Sequence, residues 1–359
     1  MRIHIYPRLI VSSGPDHHFS LVRGIRLLTE IQQTGNLAQA TRSLGLSYRS
    51  AWGLLQSLEN ELGGPVVIMT KGKGSALKHL AERLVWAQKL IHARFDPLLE
   101  SMATEVEAEI RQAVLKSRQG LKMLASHGFA VASLMPNLLA QEPPVELSYR
   151  GSLEAVSGFA RGSCDIAGFH VPIGALEQPV FAHFAPLLLP RQCLIQLASR
   201  RQGIMVAKGN PLNIWTLRDL MRPDLVFVNR QLGSGTRLVL DLLLAGENVC
   251  STAIRGFDNV ELTHAAVAAY IASGKANAGL GVEAAARQFG LDFVPIISER
   301  YFFLCDESTL HHPQFAPIVA LLQTNEFKSK ITALPGYSAD QTGQIMTVNE
   351  AFPFVNLVA

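Results

Sequence analysis

A chain of 359 residues is too long for one typical domain, and its length favours two or three. Hydrophobic residues make up 48% and charged residues 17%, which supports buried cores and excludes a disordered chain. No stretch approaches the roughly 20 apolar residues that span a bilayer. Pro7 interrupts the apolar patch near the amino terminus, which is unlike a secretion signal. No C-x-x-C pair occurs among the cysteines, so we expect buried thiols in a cytoplasmic protein.

The charge is unevenly distributed along the chain. Residues 1–94 contain 12 lysines and arginines against 5 acidic residues, whereas the remaining 265 residues contain 20 against 24. A basic amino-terminal quarter on a nearly neutral body is typical of a nucleic-acid-binding head. A solvated basic face would give the same count, so the count alone leaves both interpretations open.

Apolar spacing and turn residues predict a helix-rich amino-terminal region. Gly35-Asn36 and Gly45 end the first two predicted helices, and Ser47 is a suitable N-cap for the third. The predicted helices cover 19–33, 37–44 and 48–62. A β-branched run, a Lys-Gly-Lys-Gly-Ser tip and a short return segment then predict a hairpin wing. One long helical pattern follows from His79 to about Lys116, with a mild interruption at Pro97.

This order of elements predicts a winged helix-turn-helix, whose third helix enters the DNA major groove. The start of that helix and the wing tip carry groups suited to phosphates and base edges. The predicted DNA contacts are Ser47, Tyr48, Arg49, Ser50, Lys71 and Lys73. Trp52 lies one turn further along the helix, and we expect it in the core in preference to a contact with DNA. The alternative is a three-helix domain whose basic residues only keep it soluble.

From about Gly120, short strand-like runs alternate with helical stretches, which predicts an α/β domain with parallel strands. The runs cover 122–126, 145–149, 165–169, 225–229 and 292–296. Residues from about 336 are predicted to form a loose tail. The predicted divisions are 1–78 for the DNA-binding head, 79–118 for a linker and dimerisation helix, 119–342 for a ligand-sensing domain, and 343–359 for the tail.

The segment 225–246 predicts an anion-binding corner. A strand delivers Asn229 and Arg230, a Gly-Ser-Gly-Thr turn follows, and Arg237 to Leu244 is predicted as a helix. Glycines allow a ligand close to the backbone, and the helix start offers free N–H groups and a positive dipole. The segment matches neither a Walker A loop nor a dinucleotide fingerprint. The alternative is a turn that only caps the helix.

Similar corners follow two other predicted strands, and three histidines lie in or near such segments: His127, His170 and His264. Their separations are unlike those of zinc ligands, so we favour hydrogen-bonding or capping roles over a metal site. A histidine that donates to an anion would make binding depend on pH. No nucleophile–base arrangement is recognisable, and an enzyme is therefore not expected.

Two long segments resemble known families. Residues 36–78, with the string SYRSAW and the Gly/Lys-rich wing, resemble the amino-terminal domain of ModE-like, molybdate-responsive regulators within the LysR-type winged-helix class. Residues 120–342 resemble the periplasmic-binding-protein-like (type 2) domain, on strings such as DIAGFHVP (165–172) and NRQLGSGTR (229–237). The resemblance implies a multidomain fold, with a winged helix-turn-helix head (helices with a β wing) and a bilobed α/β sensing domain.

The resemblance also implies a ligand and an assembly. Relatives of the second domain hold oxyanions with hydroxyls and backbone amides, which implies molybdate or tungstate. The expected ligand residues are Ser126, His127, Ser152, Asn229, Arg230, Ser234, Gly235, Thr236, Arg237 and His264. Two positions depart from the family pattern, since Gly128 follows His127 where an aspartate is usual and Phe257 stands where a tyrosine is common. Such regulators form dimers through the long helix, here with Leu80, Leu84, Ala87, Leu90 and Ile91 on one face.

The sequence therefore predicts a cytoplasmic, ligand-responsive DNA-binding transcription regulator. Its expected partners are double-stranded DNA, a small anion and a second copy of the chain, or three more copies in a tetramer. No resident cofactor, metal or membrane contact is expected. The alternatives are a sensor of formate or of the molybdenum cofactor, and a protein of molybdenum-cofactor biosynthesis or assembly.

Overall fold

A computed structural model describes residues 2–12, 17–70, 74–115 and 120–354, and for 111–115 it describes the backbone alone. The chain divides into two compact units. One unit is Tyr6–Asp96, and the other combines Met1–Ile5 with Pro97–Ala359. The division falls inside a long helix, so the predicted linker 79–118 is shared between the units. In the described part of the chain, no helix is both long and apolar enough to span a bilayer.

The amino-terminal unit has the predicted order of elements. Its elements are β1 (Ile10–Ser12), β2 (His18–Ser20), α1 (Val22–Thr34), α2 (Leu37–Ser43), α3 (Tyr48–Leu62), β3 (Val67–Thr70), β4 (Gly74–Leu77) and the start of α4 (His79–Leu115). The Ser47 hydroxyl accepts a hydrogen bond from the Ser50 amide (3.1 Å), which confirms the predicted cap of α3. Strands β3 and β4 pair in antiparallel fashion and form the predicted hairpin.

The core of this unit uses the periodic apolar residues of the sequence. Ile25, Leu28 and Ile31 of α1 pack with Ala51, Leu55 and Leu58 of α3. Leu80 and Leu84 of α4 also pack against this core, so the amino-terminal part of the predicted dimer face is used within the chain. Trp52 was expected in the core, and this expectation is wrong because 44% of its surface is exposed. It lies beside the buried face of α3 that Ala51, Leu55 and Leu58 form, and not within it.

The second unit contains the remaining elements. Its strands are β5 (Lys122–Ala125), β6 (Glu146–Tyr149), β7 (Ile166–Pro172), β8 (Cys193–Val206), β9 (Phe227–Arg230), β10 (Val260–Glu261), β11 (Ala278–Val282), β12 (Asp292–Cys305), β13 (Tyr337–Ser338) and β14 (Ile345–Thr347). Its helices are α5 (Phe129–Ala132), α6 (Met135–Leu139), α7 (Ser152–Ala160), α8 (Glu177–Phe181), α9 (Gly235–Gly246), α10 (His264–Ala272), α11 (Glu283–Gln288), α12 (Glu307–Leu310), α13 (Ala316–Gln323), α14 (Asn325–Thr332) and α15 (Val348–Ala351).

The strands form one mixed sheet in the order β10-β9-β11-β8-β12-β7-β5-β6. Strands β5, β6 and β7 run parallel on one side, and β9, β10 and β11 run parallel on the other. The long strands β8 and β12 pair with each other in antiparallel fashion along almost their whole length and so connect the two sides. The fold is the bilobed α/β arrangement that the sequence predicted, with separate apolar cores on each side.

All five predicted strand-like runs form strands, namely β5, β6, β7, β9 and β12. The prediction of a loose carboxyl-terminal tail is wrong for its described part. Strands β13 and β14 pair with β8, and Val348 and Phe352 are fully buried in an apolar core with residues of α7 and β7. Short strands of two or three residues leave too little periodicity to be recognised in a sequence. The last residues, 355–359, lie outside the described part of the chain.

The carboxyl-terminal half of α4 covers the free edge of β6. The Thr104 hydroxyl donates to the Leu147 carbonyl (2.8 Å), and the Tyr149 amide donates to the Ser101 hydroxyl (2.8 Å). Edge strands otherwise expose unpaired backbone groups that attract other chains. Hydroxyl side chains on one face of α4 therefore take the place of a further strand.

Candidate functional site

Two of the predicted corners face each other across the lobes. A Cβ atom on Gly151 would lie 3.0 Å from the Gly233 carbonyl oxygen, and one on Gly235 would lie 3.7 Å from the Ser152 hydroxyl oxygen. Both corners follow the carboxyl ends of parallel strands, β6 and β9. In open α/β folds such strand ends form the crevice in which ligands bind. The structure thus brings Ser152 and Gly235 together.

The Gly-Ser-Gly-Thr turn has the geometry of a helix start. Gly233 has a φ of +83°, which glycine adopts without strain, and α9 begins at Gly235, two residues earlier than predicted. The Ser234 hydroxyl accepts a hydrogen bond from the Arg237 amide (3.2 Å) and keeps its own proton for donation. Ser234 and Thr236 are both buried. The turn therefore caps the helix and can still donate to an anion.

Arg237 and Asn229 have partners within the protein. The Arg237 guanidinium pairs with Asp241 (2.9 Å) and lies 4.3 Å from the centre of the Phe257 ring. Phe257, at the position where a tyrosine is common, thus holds an arginine by a cation–π contact. The Asn229 amide donates to the Phe257 carbonyl (3.2 Å) and accepts from the Arg230 amide (2.9 Å). Both side chains therefore stabilise the corner.

The three histidines form a cluster with Arg200 and Arg230 near the strand ends, and the charges of the two arginines affect all three imidazoles. The Ser126 hydroxyl is 3.1 Å from His170 Nδ1, and the Ser152 hydroxyl accepts from the His170 amide (3.3 Å). Burial, with Arg230 and Arg200 nearby, lowers the pKa of His127 to about 4. Burial and the same arginines hold the pKa of His170 and His264 well below the usual value. The histidines are therefore neutral at pH 7.

The two arginines of this cluster differ in their partners. The Glu299 carboxylate accepts from Arg200 Nε and from Gln202 Nε2, both at 2.5 Å, and all three side chains are buried. Arg230 donates to the Leu262 carbonyl (2.9 Å) and to the Gln231 side chain (3.2 Å), and within the described ranges it forms no ion pair. Burial lowers the pKa of Arg230 to about 10, and it remains charged at pH 7. The cluster therefore has one uncompensated positive charge.

Some buried polar atoms of this region have no partner in the described chain. His264 Nδ1 and Gln202 Oε1 are among them. An unsatisfied buried polar atom costs roughly 1–3 kcal/mol, and such groups call for an explanation such as a bound molecule or water. His264 begins α10, and Thr263 caps that helix through the Ala266 amide (2.9 Å). A ligand could satisfy both atoms, since Gln202 Oε1 accepts a hydrogen bond and His264 Nδ1 donates one in the tautomer that carries its proton there.

Gly128, the other departure from the family pattern, has a structural reason. A Cβ atom on Gly128 would lie 3.1 Å from Arg200 Nη1, so a larger side chain would crowd this guanidinium. Arg200 obtains its carboxylate from Glu299 instead (2.5 Å). In the described part of the chain, no group of three or more His, Cys, Asp and Glu side chains is arranged to hold a metal ion.

A family model described as the PBP superfamily domain matches residues 137–323, slightly more than half of the chain. The chain belongs to this PBP-like family. The matched range includes β6, β9 and the turn before α9, so the facing corners are part of the PBP superfamily domain. A relative named uncharacterized protein YvgK, from Bacillus subtilis (strain 168), is 31% identical over 245 residues, which cover 67% of this chain and 76% of the relative.

Relatives with descriptive names match shorter stretches. The molybdenum-pterin-binding protein MopB of Rhodobacter capsulatus is 37% identical over 81 residues, 21% of this chain and 30% of MopB. The transcriptional regulator ModE of Yersinia pestis is 36% identical over 78 residues, 20% of this chain and 29% of ModE. Among solved structures, a Corynebacterium glutamicum OxyR mutant bound to H2O2 aligns with a TM-score of 0.43 at 15% identity, covering 87% of this chain and 94% of that one.

Sequence reasoning missed residues of the PBP superfamily domain that lie on long strands. Arg200 is on β8, Glu299 is on β12, and they are direct partners in the sheet register. Charged residues inside apolar runs were the available signal, since LIQLASRRQGIMV and DFVPIISERYFFLC each contain them. Which of these charged residues meet depends on the pairing of strands about a hundred residues apart. His170 was recognised as a candidate but left out of the expected ligand residues.

The predicted DNA-contacting residues lie in the amino-terminal unit, apart from the PBP superfamily domain. Ser47, Tyr48, Arg49 and Ser50 are exposed at the start of α3. The Tyr48 hydroxyl contacts the sulfur of Met69 on β3 (3.9 Å), which places the start of α3 beside the hairpin. Lys71 and Lys73, predicted at the wing tip, lie outside the described residues.

Proposed function

We propose that this protein is a ligand-responsive, DNA-binding transcription regulator whose PBP-like domain binds a small oxyanion between the facing corners. The observation that carries the proposal is Arg230, a half-buried cation without a carboxylate partner among the described residues, beside neutral histidines. Helix starts at Gly235 and His264 add N–H groups and positive dipole ends. The proposed ligand residues are Ser126, His127, Ser152, Arg230, Ser234, Gly235, Thr236 and His264, with Asn229 and Arg237 as supports.

Molybdate and tungstate are the proposed ligands, with formate, another small carboxylate or the molybdenum cofactor as alternatives. The names of MopB and ModE favour molybdenum chemistry, although this chain spans only about 30% of either protein. The charge of the site suits an anion of any of these kinds. No catalytic arrangement is part of the proposal, so we expect a binding protein and not an enzyme.

The amino-terminal unit is the proposed DNA-binding head. Its support is the excess of 12 basic over 5 acidic residues in 1–94, the exposed Arg49, and the match to a transcriptional regulator. Ser47, Tyr48, Arg49 and Ser50 are the proposed contacts on α3, and Lys71 and Lys73 those on the wing. The divisions at 78 and 118 remain working boundaries for this assignment.

We also propose that the protein is a homodimer assembled through α4. Large apolar side chains lie exposed along one face of this helix at four-residue spacing: Leu98, Met102, Val106 and Ile110. Ser101, Thr104 and Glu107 on the opposite face are buried. An apolar stripe of this spacing is what a second helix covers in a two-helix seam.

Calorimetric titration of the purified protein with molybdate, tungstate, sulfate and formate tests the sensing role. We expect one of these anions to bind, and Arg230→Ala to weaken that binding at least tenfold because the uncompensated charge is lost. The exposed Arg222 pairs with Asp224, and Arg222→Ala serves as the control. Absence of binding by all four anions would contradict the proposed ligand class.

Electrophoretic mobility shift with promoter DNA tests the regulatory role. We expect Arg49→Ala to weaken DNA binding, whereas Ser234→Ala leaves DNA affinity intact and reduces the effect of the anion on it. Turnover of molybdopterin precursors without DNA binding would instead favour a role in molybdenum-cofactor biosynthesis.

A further inference from the structure

Gly53 occupies the centre of the exposed face of α3. The buried residues Ala51, Leu55 and Leu58 define the inner face of the helix. At 100° per residue, Gly53 lies on the opposite side, one turn after the exposed Arg49. An outward position near the middle of this helix therefore has no side chain.

Among the described residues, no packing contact explains this glycine. Glycine in a helix interior destabilises the helix because it loses the most conformational freedom on folding. Gly24 and Gly158 also lie inside helices, and both have a packing reason. A Cβ atom would come within 2.5 Å of Leu58 at position 24 and within 2.6 Å of Leu124 at position 158. A Cβ atom on Gly53 would meet no atom within 4 Å.

Two exposed aromatic side chains lie near the glycine, on one side of α3. Trp52 is 44% exposed and Tyr48, one turn earlier on the same side, is 52% exposed. At 100° per residue, Trp52 lies between the outward Gly53 and the buried Leu55, and Tyr48 lies next to Trp52 on the same side of the helix. Tryptophan side chains usually bury most of their area, so this exposure indicates a surface that an external partner covers.

The positive net charge of the amino-terminal unit indicates the kind of partner that this surface binds. Residues 1–94 carry 12 basic and 5 acidic side chains, which favours a polyanion over an apolar protein surface. A DNA major groove admits an α-helix, and its thymine methyl groups accept apolar contacts. A helix with a bare outward position, and with an arginine and a tryptophan next to it on one side, fits this groove.

We propose that Gly53 lets α3 approach the floor of the DNA major groove more closely than any side chain would allow, and that Trp52 contacts a thymine methyl group there. The inference rests on the proposed DNA-binding function and adds two residues to it. The cost of glycine to the isolated helix is then offset only in the complex with DNA. Stability and DNA affinity must therefore change in opposite directions when Gly53 is replaced.

The test uses the full-length protein and a duplex that the wild type selects from a randomised pool. Gly53→Ala is expected to raise the melting temperature and to lower the affinity for this duplex at least tenfold, with a larger loss for Gly53→Gln. Gly246→Ala is the matched control because a Cβ there, at the end of α9, also meets no atom within 4 Å. It should leave DNA affinity unchanged.

The contact of Trp52 is tested with the same duplex in which uracil replaces every thymine. Loss of the methyl groups should weaken wild-type binding and leave Trp52→Ala, already weakened, almost unaffected. Equal losses in the two proteins would overturn this contact. If the wild type selects no duplex, the proposed function fails together with this inference. If the wild type binds DNA and Gly53→Ala binds as tightly, or changes only the oligomeric state, this inference alone is wrong.

Discussion

Among single residues, the histidines of the site best illustrate how burial sets chemistry. His170 and His264 are almost fully buried, and Arg200 and Arg230 add positive potential near them. Protonation would place a further charge next to two cations, so these side chains are neutral. A neutral imidazole has one N–H donor and one acceptor nitrogen. An anion at Arg230 would favour the donor orientation.

The first prediction concerns stability and pH. Unfolded histidine titrates near 6.5, whereas the folded chain lowers the pKa of His127 to about 4 and that of His170 and His264 well below 6.5. Below pH 6.5 the unfolded chain therefore takes up protons that the folded chain does not. We expect the free energy of unfolding to fall as pH falls from 6.5, by up to about 1.4 kcal/mol per pH unit for each histidine.

Urea unfolding at pH 7.5, 6.5 and 5.5 measures this dependence. His264→Gln should make the loss of stability less steep, whereas the same change at His183, which is exposed, should not. A saturating anion should also flatten the dependence because it favours protonated histidine. If the wild type and His264→Gln have parallel profiles, His264 is not held neutral by its surroundings.

The second prediction concerns Glu299. This carboxylate is the shared partner of Arg200 and Gln202, and its side chain is 2% exposed. Glu299→Gln would leave the Arg200 charge buried without compensation, which typically costs about 3–5 kcal/mol. We expect a loss of this size in urea unfolding, together with tighter anion binding because the site gains a net positive charge. The exposed pair of Arg222 and Asp224 offers the control, and Asp224→Asn should change little.

Among elements, α4 and β6 form a direct connection to the proposed ligand corner. The helix contacts the end of β6 through Ser101, and β6 leads within three residues to Ser152. Tyr149 at that end also packs its ring edge-on against His127, with centroids 5.0 Å apart. The same helix continues from the amino-terminal unit. A shift of β6 on ligand binding would therefore act on α4, which begins in the amino-terminal unit.

The third prediction tests this connection. Ser101→Ala would leave the Tyr149 amide without its hydrogen-bond acceptor at a buried position, so we expect a loss of about 1–3 kcal/mol in the free energy of unfolding. Anion affinity should change less than twofold, whereas the effect of the anion on DNA affinity should decrease. Ser163→Ala, at an exposed position, is the control. An unchanged anion effect in Ser101→Ala would mean that the signal does not pass through this contact.

For the whole molecule, the exposed apolar stripe on α4 bears on the number of copies in the assembly. Apolar side chains at Leu98, Met102, Val106 and Ile110 are exposed in the single chain, although the opposite helix face is well packed. A second copy that covers the stripe would place two DNA-binding heads in one assembly. Two heads on one duplex are a common arrangement in regulators with helix-turn-helix domains.

The fourth prediction follows from that stripe. The double change Leu98→Ser and Met102→Ser should convert a dimer to a monomer at micromolar concentration, because each change removes apolar area from the proposed seam. Sedimentation velocity measures the assembly state. Leu232→Ser is the control, since Leu232 is an exposed leucine (77%) near the ligand corner and not on α4. A dimer that survives the double change would place the interface elsewhere.

Local signals in the sequence were sufficient for the local structure. Ser47 caps α3 and Gly35, Gly45 and Gly63 follow helix ends in the left-handed conformation, as the turn residues predicted. The helical spacing in α1 and the strand-like runs of the second unit were equally informative. Such features depend on a few neighbouring residues and on backbone preferences. They are therefore readable without knowledge of distant contacts.

Features that depend on distant contacts were not readable in this way. Tryptophan is a residue type that is usually buried, but the packing of α3 against α1 leaves Trp52 exposed. The tail is held by strands that are too short to recognise alone but pair with β8. The proposed anion site gains Arg200 and Glu299 because β8 and β12 lie in register. The sequence by itself thus determined the elements, the basic head and the Gly-Ser-Gly-Thr corner. Tertiary structure alone decided which charges meet, because pairing across about a hundred residues sets their neighbours.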